Sequence, residues 1–155
     1  GGWQVAGVSD GAVGGARTRL LGDGVQILHL FGPKNIRGAT RITDELTGAS
    51  WVPMGYVDDM ACAYAAADLM VARSGAGTVV ETATVGLPTI YVPLPHGNGE
   101  QARNATPAVD AGAGVVVANA DLDAERLLAG TARIHDADVL APMSAAGRGA
   151  LAPHP

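Results

Sequence analysis

Residues 69–81 read LMVARSGAGTVVE, an apolar segment that passes through a glycine-rich turn into a helix-like segment. Its first four residues, LMVA, are typical of a strand that is buried on both faces, as in a parallel sheet. The helix-like part, Thr78–Val85, stops before Gly86 and Pro88, which are common C-terminal signals of a helix. In open parallel sheets, ligands bind beyond the carboxyl ends of strands, at the N-termini of helices. The turn at residues 73–77 is therefore the first candidate site.

The same alternation of short apolar and helix-like segments extends along the chain. Strands are predicted at Trp3–Gly7, Val25–Phe31, Trp51–Tyr56, Leu69–Ala72, Thr89–Val92 and Val115–Ala118. Helices are predicted at Ala12–Leu21, Asp58–Ala67, Thr78–Val85, Glu100–Ala111 and Asp121–Arg133. This order predicts an α/β, Rossmann-like domain with a mostly parallel sheet flanked by helices.

Several details of this outline can be checked against a structure. Pro53 marks its strand as an edge or irregular strand. Asp58 is the expected N-cap of its helix, and Pro107 is expected to kink or split the helix that contains it. Residues 1–140 are expected to form the domain, and residues 141–155, rich in Pro, Gly and Ala, are expected to form a loosely ordered tail.

The length fits one domain, or half of a two-domain protein, and the composition excludes several functions. Of the 155 residues, 48% are hydrophobic but only 4% are aromatic, so Val, Leu, Ile and Ala must build the core. The net charge of −5 leaves no basic face for a nucleic acid. No apolar run is long enough for a membrane span, and no secretory leader is visible. The single Cys62 and the four histidines have no metal-ligand spacing, so no metal site is expected.

The loop from Arg73 to Glu81 has the features of an anion site. Gly75 and Gly77 would let a ligand approach the backbone, and the helix N-terminus would favour a phosphate. Glu81 lies about one turn into the helix, where its carboxylate could accept hydrogen bonds from both hydroxyls of a ribose. An ordinary glycine-rich connector with a solvated Glu81 is the alternative interpretation. The loop is not a dinucleotide fingerprint, because Val80 stands where the third glycine would be.

Two further strand-to-helix loops carry polar groups. Gln101 and Asn104 are three residues apart and share a helix face, where neutral amides suit sugar hydroxyls. A polar capping turn is the alternative there. The loop after the first strand contains Ser9 and could also face an anion, but Asp10 brings a negative charge, so a plain turn is at least as good an interpretation.

Several motifs then occur together in one order and spacing. They are GYVDDM at 55–60, AD at 67–68, RSGAGT at 73–78 with Glu81, VGLP at 85–88, VPLPH at 92–96, and Gln101, Asn104 and Pro107. With them the chain resembles, from about residue 51 to residue 120, the C-terminal domain of the bacterial N-acetylglucosaminyltransferases of glycosyltransferase family 28. The resemblance implies one half of a GT-B enzyme. It also implies the donor UDP-N-acetylglucosamine, and transfer to a lipid-linked muramyl-pentapeptide (lipid I to lipid II) in peptidoglycan synthesis.

The resemblance also assigns roles to residues by matching position. The Val57 backbone would bind the uracil with Tyr56 nearby, Glu81 would bind the ribose, and Gln101 would contact the sugar with Asn104 close by. The diphosphate and ribose would be held by Ala76, Gly77, Thr78, Val79, Val80 and Glu81, and Ser9 would face the diphosphate. Four features depart from the family: the loop GVSDGA at 7–12 replaces GGSQGA, the first helix is about one turn short, Gly77 replaces a bulkier apolar residue, and the C-terminal helices look truncated.

The resemblance further implies that the acceptor half of the enzyme lies outside this chain, on the same polypeptide or on a separate subunit. That half would bind the lipid acceptor and supply the general base, so no catalytic residue and no cofactor are expected here, and this chain alone should not turn over. The full enzyme would lie in the cytoplasm, peripherally on the cytoplasmic face of the plasma membrane. The alternatives are a non-catalytic subunit of a split glycosyltransferase and the donor domain of another UDP-sugar transferase or epimerase.

Overall fold

The computed structural model describes residues 3–6, 10–36, 38–95, 97–132 and 136–150. The strands are β1 (Trp3–Ala6), β2 (Gln26–Leu30), β3 (Ile42–Thr43), β4 (Ser50–Met54), β5 (Leu69–Ala72), β6 (Thr89–Tyr91) and β7 (Gly114–Val116). The helices are α1 (Asp10–Gly22), α2 (Met60–Ala66), α3 (Ala76–Val85), α4 (Glu100–Asp110), α5 (Ala124–Thr131) and α6 (Ala137–Ala150). A short 3₁₀ turn, Asn119–Asp121, precedes α5.

The strands form one sheet in the order β3-β4-β2-β1-β5-β6-β7. All pairings are parallel except that of β3 with β4, which confirms the predicted α/β fold with a mostly parallel sheet. The strand order reverses between β1 and β5, and this switch point is where such sheets place their ligands. The loop after β5, the first candidate site, therefore lies at the position that the topology favours.

The two faces of the sheet bury different sets of residues because successive strand residues point to opposite sides. On one face Leu69 and Val71 pack with Val13 of α1 and Leu127 of α5. On the other face Met70 and Ala72 pack with residues of α2, and a neighbouring cluster joins α3, β6 and α4. In α4 the buried residues are Ala105 and Ala108, whose small side chains allow a close approach to α3.

The helix boundaries differ from the predictions at several points. Asp59 rather than Asp58 caps α2, because its carboxylate accepts from the Ala61 and Cys62 N–H groups. Helix α4 continues through Pro107, which lies on the exposed side of the helix. Proline has no N–H, so the carbonyl one turn earlier in the helix lacks its usual donor. On the exposed side, water can donate to that carbonyl instead.

The sheet edge explains Pro53. Strand β3, which the sequence analysis did not predict, pairs only with Ser50 and Trp51 of β4. Pro53 pairs in register with His29 of β2 on the inner side, and it lies beyond the part of the outer edge that β3 occupies. No neighbouring strand needs an N–H from Pro53 there, so the proline is tolerated. The strand that contains it, β4, is thus the second strand of the sheet and not the edge strand.

Residues 141–155 were expected to form a loosely ordered tail, but residues 141–150 belong to helix α6. The composition suggested loose structure, but the glycines serve close packing instead. A Cβ on the buried Gly147 would lie 3.2 Å from the Ala83 carbonyl oxygen of α3 and 3.4 Å from the Ala113 Cβ. Small residues therefore let α6 lie directly on α3. Residues 151–155 are outside the described part of the chain.

Candidate functional site

The N-terminus of α3 opens at the carboxyl end of β5. Gly75 is its N-cap residue and has an extended backbone, with no side chain to occupy the first helical N–H groups. A Cβ built on Gly75 or Gly77 would meet no heavy atom within 4 Å beyond the adjoining chain. Among the described residues, no side chain therefore occupies the positive end of the helix, which favours an anion. Anion binding at Ala76, Gly77 and Thr78 stays a prediction.

The loop between β5 and α3 is held by two residues. The Arg73 guanidinium donates to the Asn119 side-chain oxygen at 2.6 Å and to the Val92 carbonyl at 3.2 Å. Ser74 is fully buried, and its hydroxyl donates to the Gln101 carbonyl at 2.7 Å. Sequence reasoning did not assign a role to Ser74, since nothing local distinguishes it from any other loop serine. The structure shows that it joins the β5–α3 loop to the start of α4.

Asn104 takes part in the same arrangement. Its side-chain nitrogen donates to the Ser74 carbonyl at 3.1 Å, so the donor half of its amide is engaged by the loop. It also lines, with Ala76, a small cleft of about 140 Å³ between α3 and α4. The predicted position of Asn104 near the sugar stays a prediction, and its visible role is to support the loop.

Gln101 has a defined orientation. Its side-chain oxygen accepts from the Leu94 N–H at 2.9 Å. Only an oxygen can accept from that N–H, so the assignment of the amide is fixed and the NH₂ group is left as a donor. Gln101 is therefore prepared to donate to a ligand oxygen, such as a sugar hydroxyl.

Glu81 lies on the second turn of α3 and is exposed. The Tyr64 hydroxyl of α2 donates to its carboxylate at 2.6 Å. Both residues line a cleft of about 370 Å³ between α2 and α3. Gly77 lies one turn before Glu81 on the same helix face, so the position that precedes Glu81 on that face has no side chain. The carboxylate itself is directed toward Tyr64 of α2.

Burial and the Glu81 carboxylate both raise the pKa of the Tyr64 phenol, burial having the larger effect. The phenol stays neutral and remains the donor of this bond at physiological pH.

Tyr56 and Val57 follow the carboxyl end of β4, at the same edge of the sheet. Tyr56 is 66% exposed, and Val57 lies two residues before Asp59, the N-cap of α2. Met60 and Ala61, which begin α2, line the α2–α3 cleft together with Glu81. Binding of a base at Val57 and of a pentose at Glu81 stays a prediction. Ser9 is outside the described residues, and its predicted contact with a diphosphate stays a prediction.

Cys62 is exposed, and its thiol donates to the Asp59 carboxylate at 3.1 Å. This hydrogen bond, followed by the charge of Asp59, raises the pKa of Cys62, so the thiol is not activated as a nucleophile. Over the described ranges, no cluster of three or more His, Cys, Asp or Glu could hold a metal ion. No helix in the same ranges is long and apolar enough to cross a membrane.

Comparison with known sequences gives a consistent result. A family model described as the glycosyltransferase family 28 C-terminal domain matches residues 12–151. A protein of Cutibacterium acnes, named UDP-N-acetylglucosamine–N-acetylmuramyl-(pentapeptide) pyrophosphoryl-undecaprenol N-acetylglucosamine transferase, is 86% identical over 154 residues; the match covers 99% of this chain and 41% of that protein. A protein of the same name from Mycolicibacterium paratuberculosis is 52% identical over 126 residues, which cover 81% of this chain and 30% of that protein. The chain thus spans less than half the length of these relatives.

Solved structures share the fold. MurG of Acinetobacter baumannii superposes with a TM-score of 0.72 at 24% identity, covering 96% of this chain and 48% of that one. The glycosyltransferase VinC, in complex with dTDP, superposes with a TM-score of 0.70 at 14% identity, covering 97% of this chain and 36% of that one. In both cases the shared part is one portion of a larger glycosyltransferase chain.

Proposed function

Because the chain belongs to the glycosyltransferase family 28 C-terminal domain family, we propose that it is the donor-binding half of a peptidoglycan N-acetylglucosaminyltransferase. Its donor is UDP-N-acetylglucosamine, and the product of the whole enzyme is lipid II, formed from lipid I. The observation that carries the proposal is the N-terminus of α3, which has no side-chain cap, together with the Glu81 carboxylate one turn further along that helix, held by the Tyr64 hydroxyl. That pair of features matches the diphosphate and ribose of a nucleoside diphosphate sugar.

The donor lies across the carboxyl edge of the sheet in this proposal. Its uracil binds the Val57 backbone beside Tyr56, and its ribose hydroxyls donate to Glu81. Its diphosphate lies at the N-terminus of α3, residues 76–80, and Ser9 faces it from the loop after β1. Gln101 donates to the sugar, and Asn104 lies close by. As the sugar leaves, negative charge grows on the diphosphate, and the helix N-terminus stabilises that charge.

The other half of the reaction comes from outside this chain. An inverting transfer needs a base at the acceptor hydroxyl, and the proposal places that base, with the lipid acceptor site, in an N-terminal domain on the same polypeptide or a separate subunit. The whole enzyme acts peripherally at the cytoplasmic face of the plasma membrane, where its lipid-linked acceptor is. Transfer by the purified chain alone would contradict this division of roles.

Calorimetry with UDP-N-acetylglucosamine tests the donor site. Glu81→Ala removes charge-assisted hydrogen bonds worth about 1.5–3 kcal/mol, so the Kd should rise roughly 10- to 150-fold. Glu45→Ala is the matched control, because Glu45 is an exposed carboxylate in the β3–β4 turn, at the opposite edge of the sheet. An equal Kd for wild type and Glu81→Ala would refute the proposal.

A donor panel separates this function from its nearest alternative. VinC shares the fold and is seen with dTDP, so a chain of this fold could also serve a TDP-sugar transferase. The proposal requires tighter binding of UDP-N-acetylglucosamine than of TDP-sugars or other UDP-sugars. Preference for a TDP-sugar would overturn it in favour of that alternative.

A further inference from the structure

We propose that Tyr64 is a positioning residue that sets the specificity of this site for a ribonucleotide, by holding the Glu81 carboxylate in the orientation that accepts the ribose hydroxyls. The inference rests on the proposed donor site and adds to it a residue that touches no ligand. It starts from one contact, the 2.6 Å hydrogen bond from the Tyr64 hydroxyl to Glu81 Oε2.

The two partners differ in mobility. Glu81 is exposed on α3 and has three side-chain torsions, so without a partner it would sample many rotamers. Tyr64 is only 8% exposed, and its ring packs with Met70, Ala72 and Leu87. The buried ring is a rigid support, and the short charge-assisted bond transfers that rigidity to the carboxylate.

The bond also leaves the carboxylate with acceptor capacity. A carboxylate offers about four lone-pair sites, and Tyr64 occupies one of them. Oε1 and the second site of Oε2 remain for two hydroxyl donors, which is the number that a ribose presents. Tyr64 donates from the α2 side of the cleft that both residues line. Because this hydrogen bond fixes the orientation of the carboxylate, it also fixes the directions of the lone pairs that stay unoccupied.

Tyr64→Phe tests the inference, because it removes only the hydroxyl and keeps the packed ring. Losing the preorganisation of one rotamer-rich side chain should weaken UDP binding about twofold to tenfold. The preference of the chain for UDP over 2′-deoxy-UDP should shrink as well. In a Glu81→Ala background, the same substitution should change the Kd for UDP less than twofold, because Tyr64 acts through Glu81.

Tyr91→Phe is the matched control. The Tyr91 hydroxyl is also buried and also bonds to α3, at the Thr82 hydroxyl 2.8 Å away, but it does not reach Glu81. This variant should leave UDP affinity unchanged, and thermal unfolding of both variants confirms that they fold.

The outcomes distinguish a failure of the positioning role of Tyr64 from a failure of the donor site itself. If wild type binds UDP and loses affinity with Glu81→Ala, but Tyr64→Phe binds UDP as well as wild type, the positioning role is wrong and the donor site stands. An equal loss from Tyr64→Phe with and without Glu81 also overturns the positioning role. If wild type binds no UDP, or Glu81→Ala binds it equally well, the donor site itself is wrong and the inference falls with it.

Discussion

The buried Ser74 hydroxyl supplies the sharpest test of how the site is built. Ser74 is fully buried, and its hydroxyl donates to the Gln101 carbonyl at 2.7 Å. Ser74→Ala removes this donor, while the Gln101 carbonyl keeps its helical hydrogen bond within α4. The loss of one ordinary hydrogen bond costs about 0.5–1.5 kcal/mol. For a domain of this size, that corresponds to a decrease in Tm of about 1–6 °C.

The same substitution should affect sugar recognition, because the Gln101 backbone would lose one of the contacts that fix its position. We therefore expect Ser74→Ala to reduce the preference for UDP-N-acetylglucosamine over UDP, while the affinity for UDP itself changes less. Calorimetry with both ligands and denaturant unfolding of the chain measure the two effects.

Thr106→Ala is the matched control for Ser74→Ala. The Thr106 hydroxyl also donates to a carbonyl of α4, that of Ala102 at 3.2 Å, but it is exposed. Water replaces that bond, so the change in unfolding free energy should stay within about 0.5 kcal/mol. If Ser74→Ala proves as stable as Thr106→Ala, the β5–α3 loop does not depend on this bond and the reasoning is refuted.

Two further predictions concern other parts of the molecule. Gly14→Ala should raise the free energy of unfolding by about 0.5–1 kcal/mol, because a Cβ there meets nothing within 4 Å in α1. Gly15→Ala should instead lower it by about 1–3 kcal/mol, since its Cβ would lie 2.9 Å from the Ala124 Cβ of α5; equal denaturant midpoints for the two variants would contradict this packing. Asp59→Asn should speed alkylation of Cys62 by iodoacetamide near pH 8, because it removes the carboxylate that raises the thiol pKa while keeping an N-cap residue. An unchanged rate would show that Asp59 does not control the thiol.

The central strands and the loop at α3 were predictable because their signals are local. LMVA matches β5 residue for residue, and α3 ends before Gly86 as predicted, with Gly86 in the left-handed conformation. The misses have a different origin. Strand β3 has two exposed residues and no periodicity to detect, and α6 contains Pro142 and Gly147, which weaken a helical pattern that close packing on α3 then restores.

The supporting contacts of the site could not be predicted at all. Tyr64 and Glu81 are 17 residues apart, and Ser74 and Gln101 are 27 apart. Each pair meets only because separate strand-to-helix segments lie side by side at the carboxyl edge of the sheet. The sequence therefore suggests which groups to test for ligand contact, but the residues that hold those groups depend on tertiary packing.

The close packing of α6 against α3 constrains the position of α3. Helix α3 is a stiff rod of ten residues, about 15 Å long, with the uncapped N-terminus at one end. At its other end, Gly86 has a φ of +71° and lies so close to α6 that an added Cβ would be 2.9 Å from the Ser144 carbonyl oxygen. This close contact leaves little room for α6 to move toward α3 without displacing it. Under the proposed function, the packing of α6 therefore helps to fix the position of the helix end that faces the diphosphate.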